Sequence, residues 1–530
     1  MGDGEPNGRM QGILALAGGA CVVLGFPPFS FFPPLLILGP LLLLRALRGA
    51  TPRRAALLGA LFGSVVQGGG FPWLAGTVTR FYGVVPGPEQ APSPAAAFWL
   101  GIGAFLVWWL LSSFAWVLFS VGVVAGPRDR RARLLWVPLL WVAIEAFYPR
   151  IFPWALGAGF VGWGWTAQGA WLLGVEGLSA FALLLAELGA RDPAEARGEG
   201  RAFLPALRGG RGLALALLLL LLIFGAWRHG GAPTGPEVTA RIGYVQGGIS
   251  LERRHSRSAE EQLSLLAEVV DRTRGLAGRS PDLVVWAEGI LPGVRREEWF
   301  REWVRLKVGV PVAVGGLCAV RGDPRIWNRL FVALEGAGER VYGYDKVDRL
   351  AFGEYFPLRG PLTAIGVPIP AATIAAGEER GTFPVGGIAV GPSICFEGIL
   401  PATALELRER GAQLHLNVTE DLWYGESGAP HQHLALTRMR AIEAGLPLLR
   451  VTNAGVSVLT DSRGRVLQRS PLGTDFADVL EVSVPESPEP RSILARTLVS
   501  LQPLSALVLL FWAIRGAQVR FRGGVKRGAE

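Results

Sequence analysis

Over the first 230 residues, long apolar stretches alternate with short polar links. A bilayer core about 30 Å thick needs roughly 20 apolar residues per helix. Seven runs of this kind lie near 10–28, 33–48, 55–75, 97–124, 134–149, 167–188 and 211–227, with an eighth near 495–514. The second is short and flanked by proline, and the fifth carries Glu145. Between the seventh and the eighth, residues 232–490 have ordinary globular composition. VTARIGYVQ (238–246) alternates like a strand, and 257–278 has helical periodicity. DLVVWA (282–287), PVAVGGL (311–317), LFVALE (330–335) and GIAVGPSIC (387–395) are apolar runs of strand length that end at Gly, Pro or polar residues. LHLNV (414–418) and PLLRVTN (447–453) continue the series, with a helix at about 431–445 between them. The pattern predicts a polytopic α-helical membrane domain of eight spans plus an α/β sandwich. The boundaries are 1–231 for spans one to seven, 232–490 for the α/β domain, and 491–530 for the eighth span and a basic tail.

Composition agrees. Half of the 530 residues are apolar and 18% are charged, against about 25% in soluble proteins. The 72 glycines suit membrane helices that approach closely. Cations decide the orientation. Arg45, Arg48, Arg53 and Arg54 crowd one link, Arg128, Arg130, Arg131 and Arg133 the next but one, and Arg191, Arg197, Arg201, Arg208 and Arg211 a third. Arg515, Arg520, Arg522, Lys526 and Arg527 fill the tail, whereas the alternate links hold little beyond Arg80 and Arg150. Basic links stay in the cytoplasm. Both termini are therefore expected there, with 232–490 on the far side. The first run is then an anchor that is not cleaved.

Of 52 basic residues only Lys307, Lys346 and Lys526 are lysines. Arg keeps its proton, whereas Lys is a compact charge whose pKa can be tuned. Cys21, Cys318 and Cys395 cannot all pair and form no CxxC, which indicates neither a disulfide framework nor a zinc ribbon. Cys21 ends the run LAGGAC and reads as packing inside the first span. His431 and His433 form an H-x-H pair without an acidic or Cys partner at ligand spacing, so no metal and no cofactor are expected. Nucleic acid is not expected as a partner.

Three strand ends carry one reactive group each: Glu288, Lys346 and Cys395. A thiol needs a base and a nearby cation to act as a nucleophile. Glu288 is able to take the proton, and Lys346 to hold a thiolate and later an oxyanion. Taken singly, Cys395 also fits a small buried hydrophobe, Glu288 a surface carboxylate and Lys346 a chance cation. Composition and periodicity do not assemble them.

Longer segments do. WAEG with LP following (286–292), YDKVDRLAFGEYFP (344–357) and SICFEGILP (393–401) resemble the catalytic segments of the nitrilase, or carbon–nitrogen hydrolase, superfamily. That superfamily has a Glu–Lys–Cys triad in this chain order. Together with 417–457 and GFPPFSFFPPLLILGPLLLL (25–44), nearly the whole chain resembles the bacterial inner-membrane family of apolipoprotein N-acyltransferases. The resemblance implies a nitrilase-like αββα sandwich and catalytic Glu288, Lys346 and Cys395. It further implies Glu354, Phe396 and Glu397 in support, and Trp423, Tyr424 and His255 near the substrate. The implied donor is a membrane phospholipid, the acceptor the α-amine of an S-diacylglyceryl-cysteine apolipoprotein, and the intermediate a Cys thioester. Departures from the family pattern fall at Gly247, Gly248, His255, Arg349, Ala351, Glu420 and Leu446. The apolar segment 347–370 reads as a lip toward the bilayer, or as a buried loop. Alternative readings are a membrane-anchored amidase with water as acceptor, and a non-catalytic lipid-binding protein.

Overall fold

The structure is a computed structural model that describes residues 7–84, 92–190, 210–231, 236–256, 258–334, 341–369, 373–489, 492 and 494. The expected span at 495–514, the tail beyond it and the cations of 191–208 lie outside the described residues. The chain divides into two compact units. One holds Met1–Pro72, Phe105–Gly231 and Arg491–Glu530; the other holds Trp73–Ala104 and Ala232–Pro490.

The first unit is helical. It contains α1 (Gly8–Gly25), α2 (Leu35–Ala46) and α3 (Pro52–Gly70); α4 (Trp73–Val84) follows in the chain. α5 (Pro94–Ala125), α6 (Arg130–Phe147), the short α7 (Gly164–Ala167) and α8 (Gly169–Leu173), α9 (Val175–Ala190) and α10 (Gly210–Gly230) complete the series. Glycine sets the spacing. A Cβ at Gly18 of α1 would lie 2.6 Å from the Gly39 carbonyl of α2, and one at Gly59 of α3 would lie 2.5 Å from the Trp116 carbonyl of α5. Only a hydrogen in place of the side chain admits such approach. Arg133 of α6 grips Glu187 of α9 at 2.8 and 3.1 Å.

Among the described residues three helices are long and apolar enough to cross a membrane, or five if each of two bent pairs is one span. The run at 55–75 is not one straight helix: α3 stops at Gly70, and α4 leaves at 53°. Gly68, Gly69 and Gly70 weaken the helix there, and Pro72 lacks an N–H and forces Phe71 out of helical conformation. The run at 167–188 breaks at Gly174, whose φ is 77°, with a bend of 107°. α2 has 12 residues, and α6 begins with three arginines within four residues.

The second unit is layered. Its first half contains β1 (Glu237–Gln246), α11 (Leu251–Arg254), α12 (Ala259–Gly275), β2 (Leu283–Trp286), β3 (Leu291–Arg295) and α13 (Glu297–Trp303), then β4 (Val312–Ala319), β5 (Ile326–Ala333) and β6 (Val341–Asp345). α14 (Arg359–Ala364), β7 (Ile374–Ala375), β8 (Phe383–Val385), β9 (Ile388–Ile394), α15 (Pro401–Glu409) and β10 (Leu414–Thr419) follow. α16 (Ala429–Ala444), β11 (Leu448–Thr452), β12 (Val458–Thr460), β13 (Val466–Arg469) and β14 (Phe476–Pro485) close it. One sheet runs β14-β1-β2-β4-β5-β6, with β3 on β4 and β7 on β5; the other runs β13-β12-β11-β10-β9-β8.

Ile242, Tyr244, Val285 and Leu330 of the first sheet meet Val390, Ile394, Leu416 and Val451 of the second in a buried layer. On the first sheet's other face, Leu266 and Val269 of α12 and Phe300 of α13 cover Val284, Trp286 and Phe331. Leu407 of α15 lies against Gly391 of β9 on the far side. The order is helix, sheet, sheet, helix, which is the αββα sandwich. β2 and β4 are parallel, and β4, β5 and β6 alternate in direction, so β2 and β6 end at the same edge. Glu288 and Lys346 therefore emerge side by side.

Candidate active site

Glu288 follows β2 by two residues. Gly315 of β4 makes room for that turn, since a Cβ there would stand 2.6 Å from the Glu288 Cα. Glu288 Oε1 accepts from Asn328 Nδ2 at 2.7 Å, and Oε2 accepts from the Glu420 N–H at 2.9 Å. Lys346 directly follows β6 and is 2% exposed. Its Nζ donates to Glu354 Oε1 at 3.0 Å and lies 3.9 Å from Glu288 Oε1. Glu354 also accepts from Asn328 Nδ2 at 3.0 Å and, through Oε2, from the Leu350 N–H at 2.8 Å. One amide of β5 thus ties both carboxylates together.

Burial pushes the Glu288 pKa up; Lys346 opposes that, and the Glu354 charge adds to it. Burial by itself would pull the Lys346 pKa down, but Glu354 and then Glu288 hold it above the usual lysine range. The cation stays charged and the base is less acidic than a free carboxylate, a pairing suited to proton transfer.

Cys395 follows β9 at a left-handed φ of 52°. A non-glycine residue held there costs of order 1–3 kcal/mol, and such strain is sustained only by a surrounding that over-determines it. That surrounding is visible. Glu397 is fully buried; its Oε1 accepts from Val347 N at 2.8 Å and Asp348 N at 3.0 Å, and its Oε2 from Ile394 N at 2.8 Å. Tyr344 OH adds a bond of 2.9 Å. One carboxylate therefore fastens the Lys346 segment to the strand bearing the thiol. Asn417 Nδ2 donates to the Cys395 carbonyl at 3.3 Å, and Asn417 Oδ1 accepts from Arg450 Nη1 at 2.8 Å. The buried Arg450 reaches Asp421 at 2.8 Å, and Asp421 meets His433 Nδ1 at 3.0 Å. Burial, then the Glu288 charge, raise the Cys395 pKa, and Lys346 opposes them. The resting thiol keeps its proton and faces the carboxylate able to take it.

The structure brings Glu288, Lys346, Cys395, Glu354 and Glu397 together. Phe396 is half-buried and follows the thiol in the chain. Trp423 and Tyr424 sit on a turn beyond β10, with His255 against Trp423 at 5.1 Å between ring centroids. α4 reaches this turn: Trp73 lies edge-on to Tyr424 at 5.3 Å, and Arg80 donates to the Trp423 carbonyl at 3.2 Å. Glu420, buried and pushed up to about 8 by that burial, accepts from Leu422 N at 3.0 Å and Asn453 Nδ2 at 3.2 Å.

The other departures have local reasons. Gly248 has φ +60°, Leu446 is fully buried, and Arg349 lies over the Tyr355 ring at 4.6 Å while bonding the Ile374 carbonyl. His433 serves Asp421, and no group of metal-binding residues occurs among the described residues. Asn328, Asn417 and Arg450 escape a search for reactive groups; their signal is a polar residue inside an otherwise apolar strand run.

The geometry sets a thiol, a buried carboxylate and a fixed ammonium around one point, which is equipment for displacement at an acyl carbon. Residues 241–485 match the family model for carbon-nitrogen hydrolases, and residues 18–188 match the apolipoprotein N-acyltransferase N-terminal domain. The apolipoprotein N-acyltransferase of Geobacter metallireducens is 30% identical over 505 residues, covering 89% of each chain. That of Allorhizobium ampelinum is 30% identical over 91% of this chain and 92% of its own. That of Azotobacter vinelandii is 32% identical over 87% and 86%. Among solved structures, an amidase from Nesterenkonia sp. is 19% identical, covers 49% of this chain and 95% of its own, and has a TM-score of 0.36.

Proposed function

The chain belongs to the apolipoprotein N-acyltransferase family, and from that membership we propose that it moves a fatty acyl chain from a membrane phospholipid to the N-terminal α-amine of an S-diacylglyceryl-cysteine apolipoprotein. Glu288 removes the Cys395 proton as Sγ attacks the ester carbonyl. Lys346 holds the oxyanion. The ester C–O bond breaks, the lysophospholipid oxygen takes the proton from Glu288, and a thioester remains. The acceptor amine then attacks the thioester carbonyl and loses a proton to Glu288; the C–S bond breaks as the amide forms, and the departing sulfur takes that proton from Glu288 to restore the thiol. Glu354 fixes Lys346, and Glu397 fixes the nucleophile turn.

The observation that carries this reading is the convergence of Lys346, Glu288 and Glu354 within 3.9 Å beside the strained Cys395. Both substrates are lipids, so the site belongs at a membrane surface. We place the chain in the bacterial inner membrane with eight spans, residues 1–231 and 491–530 forming the membrane domain and both termini in the cytoplasm. Residues 232–490 form the periplasmic catalytic domain; α4 and the start of α5 fold with it. Exposed Leu358 and Ile365, at 70% and 76%, support a lip at 347–370 that meets the lipid.

Mass spectrometry of lipoprotein N-termini, from cells with and without the protein, tests the reaction. The N-terminal acyl group should be present only with the protein. Equal acylation in both would overturn the assignment, and free acid in place of acylated acceptor would mark a hydrolase.

A further inference from the structure

Two adjacent arginines of α11 are treated differently. Arg253 is paired: its Nε meets Glu261 at 2.7 Å and its Nη2 meets Glu268 at 2.8 Å. The Arg254 guanidinium, although half-buried, has no hydrogen bond or ion pair among the described residues. Its main chain is held firmly. The Arg254 N–H donates to the Ser250 carbonyl at 2.9 Å, and its carbonyl accepts from Gln262 Nε2 at 3.1 Å. The segment before it is pinned to Asn453, which takes the Gly248 N–H at 3.0 Å and the Ile249 N–H at 3.2 Å.

The unpaired guanidinium lies over the turn that bears the base. A Cβ at Gly289 would stand 3.0 Å from Arg254 Nη2. The carboxyls that face it are Glu420 and Glu288, joined by the Glu420 N–H at 2.9 Å. Burial raises both carboxyl pKa values, so they supply less negative charge than two free carboxylates. A guanidinium presents five donors in a rigid fork. None of the five donates to a protein group among the described residues, so the fork is open to an acceptor that a ligand brings. The fork matches an oxyanion with two or more oxygens, carboxylate or phosphate alike, and the phosphodiester is the oxyanion that the proposed donor carries. Beside it, His255 is kept neutral by burial and by Arg254, with a pKa near 4, and turns an uncharged ring to Trp423. The place thus joins a cationic end to an aromatic wall, as a phospholipid's phosphate and acyl ester require.

We propose that Arg254 binds the phosphodiester of the acyl donor and so sets the donor's ester at Cys395. This rests on the reading that the donor is a phospholipid. The test uses the full-length protein in detergent and reads acylation of Cys395 by mass over time, with no acceptor. Two donors are compared: a phosphatidyl lipid, and a diacylglycerol with the same chains but no phosphate. Arg254→Gln should slow acylation from the phosphatidyl lipid about tenfold or more, as expected on losing a charge-assisted bond, mainly through a higher apparent KM. It should leave acylation from diacylglycerol within about twofold, because that donor brings no phosphate for the guanidinium to hold. Arg254→Lys should fall between, and Arg253→Gln should match the wild type with both donors. Equal loss with both donors would show that Arg254 only positions the base. No loss with either would remove it from the site. In both cases wild-type acylation by phospholipid stands. A wild type acylated by diacylglycerol alone would instead sink the phospholipid reading, and the phosphate site with it.

Discussion

Lys346 sits between two carboxylates, Glu354 at 3.0 Å and Glu288 at 3.9 Å. Lys346→Arg keeps the charge but replaces a compact ammonium with a larger planar fork that does not fit the same point. Loss of oxyanion stabilisation is worth about 3 kcal/mol, so turnover should drop about a hundredfold or more. Near-normal kcat in this variant would remove Lys346 from the site. The two carboxylates differ in role. In the proposed reaction Glu288 acts as the base and must be ionised, and burial raises its pKa. The rate should therefore fall as pH drops through a value above the ordinary carboxylate range. The Glu354 charge contributes to that rise, so Glu354→Gln should shift the acid limb of kcat/KM to lower pH while slowing turnover and leaving thiol labelling detectable. An unmoved limb, or full rate in Glu288→Gln, would reverse the assignment. The sequence points to Glu288, Lys346 and Cys395 as a proposed triad through the long segments that resemble a known superfamily, and the structure brings the three residues together. Asn328 is not legible in the sequence, because only the fold brings β5 between Glu288 and Glu354.

At the scale of elements, the nucleophile turn and the lysine segment share one fastening. Glu397 accepts backbone bonds from both, at 2.8 to 3.0 Å. Glu397→Gln would turn an amide N–H toward backbone donors at one of these contacts. A buried donor left unsatisfied costs about 1–3 kcal/mol. Thermal unfolding should show that loss, and Cys395 acylation should slow by more than Lys346 or Cys395 burial alone accounts for. Unchanged melting together with unchanged acylation would refute the clamp. The strands β1, β2, β4, β5, β9, β10 and β11 are legible in the sequence because their apolar runs are short and bounded by Gly, Pro or polar residues; the edge strand β14, with charged Asp478 and Glu481 in it, is not. The helix 257–278 appears as α12 and the helix 431–445 as α16. Hydropathy does not register the break between α3 and α4, although Gly68–Pro72 contains its cause. A window that averages hydropathy over twenty residues passes across three glycines and a proline. α4 and its contacts with Trp423 and Tyr424 were invisible for the same reason.

At the scale of the whole molecule, a helical unit with apolar helices and an αββα sandwich share one chain. On the topology proposed from the alternating basic links, 232–490 lies outside the cytoplasm. A reporter fused near residue 470 should be active only if it works in the periplasm; activity of a cytoplasm-only reporter there would invert the topology. The number of spans depends on apolar runs that bend, shorten or fall outside the described residues, and hydropathy does not register bends. The two-step route is the central claim. Holding an ester and an amine from two lipids aligned in one step would demand a large ordered site, and a thioester divides the task. Purified protein incubated with phospholipid and no acceptor should gain the mass of one acyl chain. That mass should be removed by neutral hydroxylamine and absent in Cys395→Ala, while Cys21→Ala and Cys318→Ala still acquire it. A wild type that never gains the mass, yet transfers acyl chains with kinetics requiring both substrates bound together, would contradict the account.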